Sequence, residues 1–129
     1  MSLQRETNVR KKYILVVDDD AITRELVLKA LQQRGYDVGL ADSVEAAFDI
    51  LTQPKIKVDL ILTDIVMPDR DGFAVLDAIN NLSNPIPIIF ITGAPERIEE
   101  AYTHGGHFAI VRKPIDLERL VDLVKQFLQ

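Results

Sequence analysis

Two periods of apolar and polar residues alternate along this chain. Short runs dominated by Val, Ile and Leu recur five times, and each gives way to a stretch where apolar residues return every three or four positions. Runs of the first kind read as buried strands and stretches of the second as amphipathic helices packed on them. Tyr13 to Val17 is the first run and ends at Asp18-Asp19-Asp20. Ala21 to Arg34 then places Ile22, Leu26 and Ala30, with Val27 and Leu31 beside them, on one predicted inner face. Gly35 is positioned to end that helix. Tyr36 to Ala41 is a weaker run, expected at a sheet edge. Ser43 is placed to cap a second helix with Val44, Ala47, Phe48 and Leu51 inward, and Pro54 closes it.

The pattern continues to the end. Val58 to Thr63 is apolar almost throughout, as a central parallel strand should be. Gly72 to Asn80 predicts a third helix with Phe73, Leu76 and Ile79 inward. Pro87 to Ile91 is the fourth run and ends at Thr92-Gly93. Pro95 suits the first turn of a short fourth helix reaching about His104. Phe108 to Val111 is the fifth run, ending at Arg112-Lys113-Pro114. Asp116 is placed to cap a last helix with Leu117, Leu120, Val121, Val124 and Leu128 inward. Five βα units in series imply right-handed crossovers and a five-stranded parallel sheet covered on both faces by five helices.

Composition sets bounds on this picture. The chain has 129 residues, of which 47% are apolar, enough for the core of one domain. No apolar run is long enough to span a bilayer, so no membrane association is expected. There is no cysteine, which removes thiol chemistry and fits a cytoplasmic protein. A net charge of −5 argues against direct nucleic-acid binding, which depends on neutralising phosphates.

Candidate chemistry lies at the strand ends. In a parallel sheet these share one edge, where ligands bind. Four of them carry polar groups: Asp18, Asp19 and Asp20 after the first strand, Asp64 after the third, Thr92 after the fourth and Lys113 after the fifth. Carboxylates crowded together repel, so at least one should have a raised pKa. A hard divalent cation relieves that repulsion, and Mg²⁺ suits an all-oxygen site with room for water and a phosphate oxygen. With an ammonium and a hydroxyl beside it, the set has the parts needed to hold a phosphoryl group: metal, cation, donor and a nucleophilic carboxylate. Asp20 reads instead as the cap of the first helix.

The stretches ILVVDDD, LILTDIVMPDRDG, IIFITG and VRKPID resemble, in order and spacing, the receiver domain of two-component response regulators. The resemblance covers about Tyr13 to Leu128. It implies the doubly wound, flavodoxin-like strand order 2-1-3-4-5, with residues 13–129 as the receiver domain; residues 1–12, polar and without periodicity, read as a flexible leader. It implies that Asp64 is the phosphoacceptor, taking its phosphoryl group from the histidine of a sensor kinase or histidine phosphotransfer protein. Asp18 and Asp19 match the acidic pair at the Mg²⁺ site, Asp19 directly and Asp18 largely through water. Val66 matches the residue that lends the metal a backbone carbonyl. Thr92 matches the switch hydroxyl, Lys113 the lysine that pairs with the phosphoryl group, and Lys113-Pro114 a bond that is usually cis. An output partner is implied at the face of the fourth helix, fifth strand and fifth helix, where Arg97, Glu99 and Tyr102 fall. A phosphorylation-dependent homodimer is a further implied state.

One position departs from the family pattern. Ile110 stands three residues before the lysine, where an aromatic switch residue is usual, and altered aromatic switching is expected. Phe108, of the same parity on the strand, is expected to serve as packing. His104 and His107 are expected to be exposed loop residues, and Glu96 to Glu100 a solvated helix face. Three other functions compete. A haloacid-dehalogenase-like phosphatase would use the D-x-D spacing of Asp18 and Asp20, but has Ile22 where Thr or Val is expected and leaves Asp64 without a role. A flavodoxin-like nucleotide binder would need a glycine-rich or hydroxyl-rich loop where three carboxylates stand. A phosphorylation-independent interaction module would usually lack an acid that is present here.

Overall fold

The computed structural model describes residues 10–129. Five parallel strands form one sheet in the order β2-β1-β3-β4-β5. They are β1 (Tyr13–Val17), β2 (Asp37–Ala41), β3 (Leu60–Thr63), β4 (Ile88–Thr92) and β5 (Phe108–Arg112). The helices between and after them are α1 (Ala21–Gln32), α2 (Val44–Leu51), α3 (Phe73–Asn80), α4 (Ile98–Thr103) and α5 (Leu117–Phe127), with a 3-10 turn at Pro95–Arg97 leading into α4. This is the doubly wound order that the resemblance implied.

Strand composition follows position in the sheet. The central strands β1, β3 and β4 are buried almost throughout, whereas the edge strands β2 and β5 are half-exposed. Successive side chains point to opposite faces, so each central strand feeds two cores. Ile14, Val16, Leu60, Leu62, Ile89 and Ile91 pack with Val27 and Leu31 of α1 and Leu120, Val121 and Val124 of α5. Leu15, Val17, Ile61 and Phe90 pack with Val44 and Ala47 of α2, the apolar face of α3 and Ala101 of α4. Each fully buried large aliphatic side chain contributes about 1.5–3 kcal/mol. Exposed ion pairs contribute about 0–1 kcal/mol each, so the two cores hold the sheet.

One helix face differs from its expectation. On α1, Val27 and Leu31 are buried, but Ile22 is 72% and Leu26 51% exposed. At 100° per residue, Ile22 lies about 140° and Leu26 about 100° round from Val27, so α1 carries two neighbouring apolar stripes and only the one with Val27 and Leu31 turns inward. Small boundary differences also matter. β3 begins at Leu60, not Val58, and β4 extends to Thr92, which places that hydroxyl on the strand itself. Of the leader expected over 1–12, only Arg10 to Lys12 fall among the described residues. There Arg10 donates two hydrogen bonds, 2.8 and 2.9 Å, to Asp59, whose carboxylate also accepts from the Tyr13 N–H at 2.8 Å. Among the described residues no helix is long and apolar enough to cross a membrane.

The loop after β3 is fastened at two points. Its Asp69 carboxylate accepts from the N–H groups of Val44 (3.1 Å) and Glu45 (3.0 Å), which adds to the Ser43 cap of α2. Its Gly72 N–H donates to the Ile65 carbonyl at 2.7 Å. A Cβ at Gly72 would overlap the Asp64 carbonyl oxygen, a backbone atom with nowhere to move. A Cβ at Gly39 would meet only the end of the Tyr13 side chain, which can turn aside. Gly72→Ala is therefore expected to cost about 2–3 kcal/mol in urea denaturation, against less than about 1 kcal/mol for Gly39→Ala.

Candidate functional site

The sheet ladder runs one rung past the strands and sets the site. Asp18 N–H donates to the Ala41 carbonyl, Asp64 N–H to the Val17 carbonyl and Lys113 N–H to the Thr92 carbonyl, at 3.0, 3.0 and 2.8 Å. The strand-end residues are thus held by backbone bonds before any side chain acts. Val17 pairs with Thr63, so Asp18 and Asp64 leave adjacent strands side by side. Asp18, Asp64 and Thr92 are 2%, 7% and 1% exposed, so their side chains must find partners within the protein.

Lys113 supplies two of those partners. Its Nζ lies 2.8 Å from Asp64 Oδ2 and 3.1 Å from Asp18 Oδ2. The other oxygen of Asp64, Oδ1, accepts from the Ile65 N–H at 2.7 Å and the Val66 N–H at 3.3 Å. Asp18 Oδ1 accepts from the Asp20 N–H at 2.8 Å, and the Asp18 carbonyl accepts from the Arg24 guanidinium at 2.7 Å. Thr92 Oγ1 accepts from the Ala94 N–H at 2.9 Å. Carboxylate oxygens of Asp18, Asp19 and Asp64 lie within 4.8 Å of one another, and of these three Asp19 is the exposed one. Three carboxylates with one face open to solvent suit a hard divalent cation.

The electrostatics differ from expectation in their cause. The Asp18 carboxyl does sit above its ordinary value, but burial leads, and repulsion from Asp64 contributes least. The hydrogen bonds from Asp20 N–H and from Lys113 oppose the shift without cancelling it. For Lys113, burial works against the ammonium, yet the bonds and charges of Asp64 and Asp18 outweigh it and raise its pKa.

Asp20 is not part of the cluster. Its carboxylate accepts from the Ile22 N–H and the Thr23 hydroxyl at 3.1 and 2.8 Å, capping α1 as expected. The paired acids of the phosphatase alternative are therefore not assembled. The Lys113-Pro114 bond is cis. Ile110 is half-buried and packs against the core with Phe108. Phe108 makes tilted or edge contacts with Phe90 and Tyr102, at centroid distances of 5.5 and 5.1 Å.

Two surface expectations need correction. His104 is not an exposed loop residue: its ring stacks on Phe73 at 4.6 Å, and Nδ1 lies 2.8 Å from Asp77 Oδ1. His107 is exposed as expected. Within Glu96 to Glu100, Arg97 is only 26% exposed and pairs with Asp71 and Glu100. Sequence reasoning also passed over Arg24 and Asp69. Both act on backbone groups of other segments, and nothing in local periodicity marks such a contact.

The comparisons with known proteins agree with this geometry. The family model for the response regulator receiver domain matches residues 14–125. The chain belongs to the response regulator receiver family. It is 32% identical over 108 residues to a two-component response regulator of Oryza sativa subsp. japonica, covering 83% of this chain and 18% of that protein. The receiver thus spans less than a fifth of that relative. Among solved structures it is similar to the receiver domain from the hybrid histidine kinase CckA, with 31% identity, a TM-score of 0.76 and coverage of 91% and 99% of the two chains. It is also similar to the response regulator TrrA from Thermotoga maritima in complex with Mg²⁺-BeF, with 28% identity, a TM-score of 0.77 and coverage of 90% and 98%.

Asp18 and Lys113 both make this receiver's stability depend on pH. Asp18 has a folded pKa above its unfolded value of 3.8, so its ionisation opposes folding at neutral pH, and that penalty fades as pH falls toward 3.8. Lys113 has a folded pKa above 10.5, so its contribution is present at neutral pH and is lost as pH rises through the folded value. Lys113→Met leaves two buried carboxylates uncompensated. It is expected to lower metal-free stability at neutral pH by about 1–3 kcal/mol, with the deficit narrowing as Asp18 becomes protonated. Denaturation in chelator at several pH values measures both.

Proposed function

We propose that this chain accepts a phosphoryl group on Asp64 from a phosphohistidine, as the signal-receiving step of a two-component phosphorelay, with residues 13–129 as the functional unit. The observation that carries the reading is the convergence on one carboxylate. Asp64 sits at a strand end with Lys113 Nζ at 2.8 Å, Asp18 and Asp19 oxygens within 4.8 Å, and the Thr92 hydroxyl on the next strand. An Asp64 oxygen attacks phosphorus in line, the P–N bond breaks with its electron pair going to nitrogen, and the donor leaves as neutral imidazole, keeping the proton already on its other ring nitrogen. Lys113 then pairs with the charge on the equatorial oxygens. Thr92, a hydroxyl whose proton is free to point at an acceptor, donates to one of them. The rigid backbone contacts to Asp64 Oδ1 keep the carboxylate oriented, so little reorganisation is needed at the moment of transfer.

Asp19, Asp64 and the Val66 backbone carbonyl would hold Mg²⁺, with Asp18 acting through water, and the ion would neutralise the carboxylates and bind a phosphoryl oxygen. The all-oxygen donor set and the solvent-facing Asp19 support that choice of metal. The Mg²⁺-BeF complex of the Thermotoga maritima relative supports it further. The chain is modified about once per cycle and is not a turnover enzyme. Its donor is the histidine of a sensor kinase or phosphotransfer protein in the cytoplasm. Exposed Ile22, Leu26 and Val66 flank the site-bearing turns and offer apolar contact to that donor. The face of α4, β5 and α5, with exposed Tyr102, meets the output partner or a second copy once phosphorylation shifts the equilibrium.

Incubation with acetyl phosphate and Mg²⁺ is expected to add one phosphoryl mass to the intact protein. Asp64→Asn, or omission of the metal, should prevent it. Labelling that persists in Asp64→Asn refutes the assignment. Millimolar Mg²⁺ is also expected to raise the melting temperature. At a concentration about 100 times Kd the stabilisation is about 2.7 kcal/mol. Asp19→Asn should remove most of that gain in a thermal melt.

A further inference from the structure

The resting position of Thr92 is joined by an unbroken path to the loop that follows Asp64. Thr92 Oγ1 accepts from the Ala94 N–H at 2.9 Å, and the Ala94 carbonyl accepts from the Arg97 N–H at 2.9 Å. The Arg97 guanidinium then donates to Asp71 Oδ2 at 2.5 Å. Asp71 adjoins Gly72, whose N–H is bonded to the Ile65 carbonyl beside the phosphoacceptor. A side chain from the turn before α4 therefore ties the segment carrying the hydroxyl to the segment carrying the carboxylate. Arg97 is itself fixed on two more sides: Nε and Nη2 donate to Glu100 at 2.9 Å each, and Cζ lies 5.5 Å from the Phe73 ring centroid.

This tie matters because apolar packing there is thin. Ala101 is the one buried residue of α4. The helices α1, α3 and α5 are locked to the sheet by rows of buried Val, Leu and Ile, which do not slide without loss of packing. Around α4, polar contacts carry much of the holding, and polar contacts exchange readily with water. Any shift of the segment from Thr92 to Arg97 toward a phosphoryl oxygen on Asp64 would work against the Ala94-to-Thr92 bond and the Arg97–Asp71 pair.

We propose that Arg97 is a positioning residue: through Asp71 it holds the Thr92 segment in its resting place and opposes the rearrangement that accompanies phosphorylation at Asp64. The inference rests on the phosphoacceptor reading. Loss of the pair should then leave a larger fraction of the protein ready for the phosphorylated arrangement, and a phosphoryl analogue should bind more tightly by that factor. A role confined to stability would lower the melting temperature and leave analogue affinity unchanged.

Titration calorimetry with Mg²⁺ and beryllofluoride tests this on the intact chain. Arg97→Met keeps the stem over Phe73 and loses the charge, and Asp71→Asn is nearly isosteric. Each is expected to bind beryllofluoride roughly two- to five-fold more tightly than wild type, the scale of a partly exposed ion pair. The double variant should gain no more than either single one, because both remove the same link. Glu100→Gln should stay near wild type, since Glu100 pairs with Arg97 within one segment and joins no two loops. Unchanged or weakened binding in Arg97→Met and Asp71→Asn, additive gains in the double variant, or an equal gain in Glu100→Gln would overturn the inference. A wild type that binds no beryllofluoride overturns the phosphoacceptor reading and this inference together, whereas normal wild-type binding with unaffected variants overturns this inference alone.

Discussion

Two carboxylates buried at neighbouring strand ends are tolerable because one ammonium reaches both of them. Lys113 leaves β5, yet its partners Asp64 and Asp18 leave β3 and β1, with β4 in between. Neighbouring strands are about 4.8 Å apart, so the cation has to cross about two strand spacings to reach Asp64. Only a long, unbranched side chain does this. Strand order and the length of Lys113 are thus parts of one constraint. A divalent cation bound as proposed at Asp19 and Asp64 would enter a site already half-compensated.

How far the sequence revealed this depended on the range of each interaction. The strands and the polar residues at their ends follow from backbone periodicity, because a parallel sheet makes each strand end converge on one edge whatever the helices do. Asp18, Asp64, Thr92 and Lys113 were identifiable for that reason. The inner face of α1 was not, since periodicity marks an apolar arc without saying which part of it turns inward; Val27 and Leu31 won over Ile22 and Leu26 through packing against β1 and α5. Polar pairs across long sequence separations were invisible. Arg97 and Asp71 stand 26 residues apart, and His104 and Asp77 stand 27 apart, with no local signal in common.

Those invisible pairs gather on one side of the molecule. On the α1 and α5 face, the sheet is covered by interlocking aliphatic side chains. On the other face, α4 is pinned to α3 by Arg97 at one end and by His104 at the other, where Asn80 also donates to the carbonyls of His104 and Gly105 at 3.2 Å each. Gly106, at φ 92, leaves the room that Asn80 needs. An element held by a few polar clamps opens at lower free energy than one held by a core, so local stability is uneven across this domain.

That unevenness divides the site itself. Asp18, Asp64 and Lys113 are tied by ladder hydrogen bonds to the sheet, which cannot move without disturbing both cores. Thr92 begins on the sheet but leads directly into the clamped segment. The phosphoryl group proposed on Asp64 would therefore meet a fixed half that binds it and a movable half that can respond to it. A rigid acceptor beside a weakly held reporter is the arrangement a two-state switch requires, because differential contact with a ligand shifts only the part whose alternatives lie close in energy. With Ile110 in place of an aromatic, the movable part of the proposed switch would be the Thr92-to-Gly106 segment and its contacts with α3.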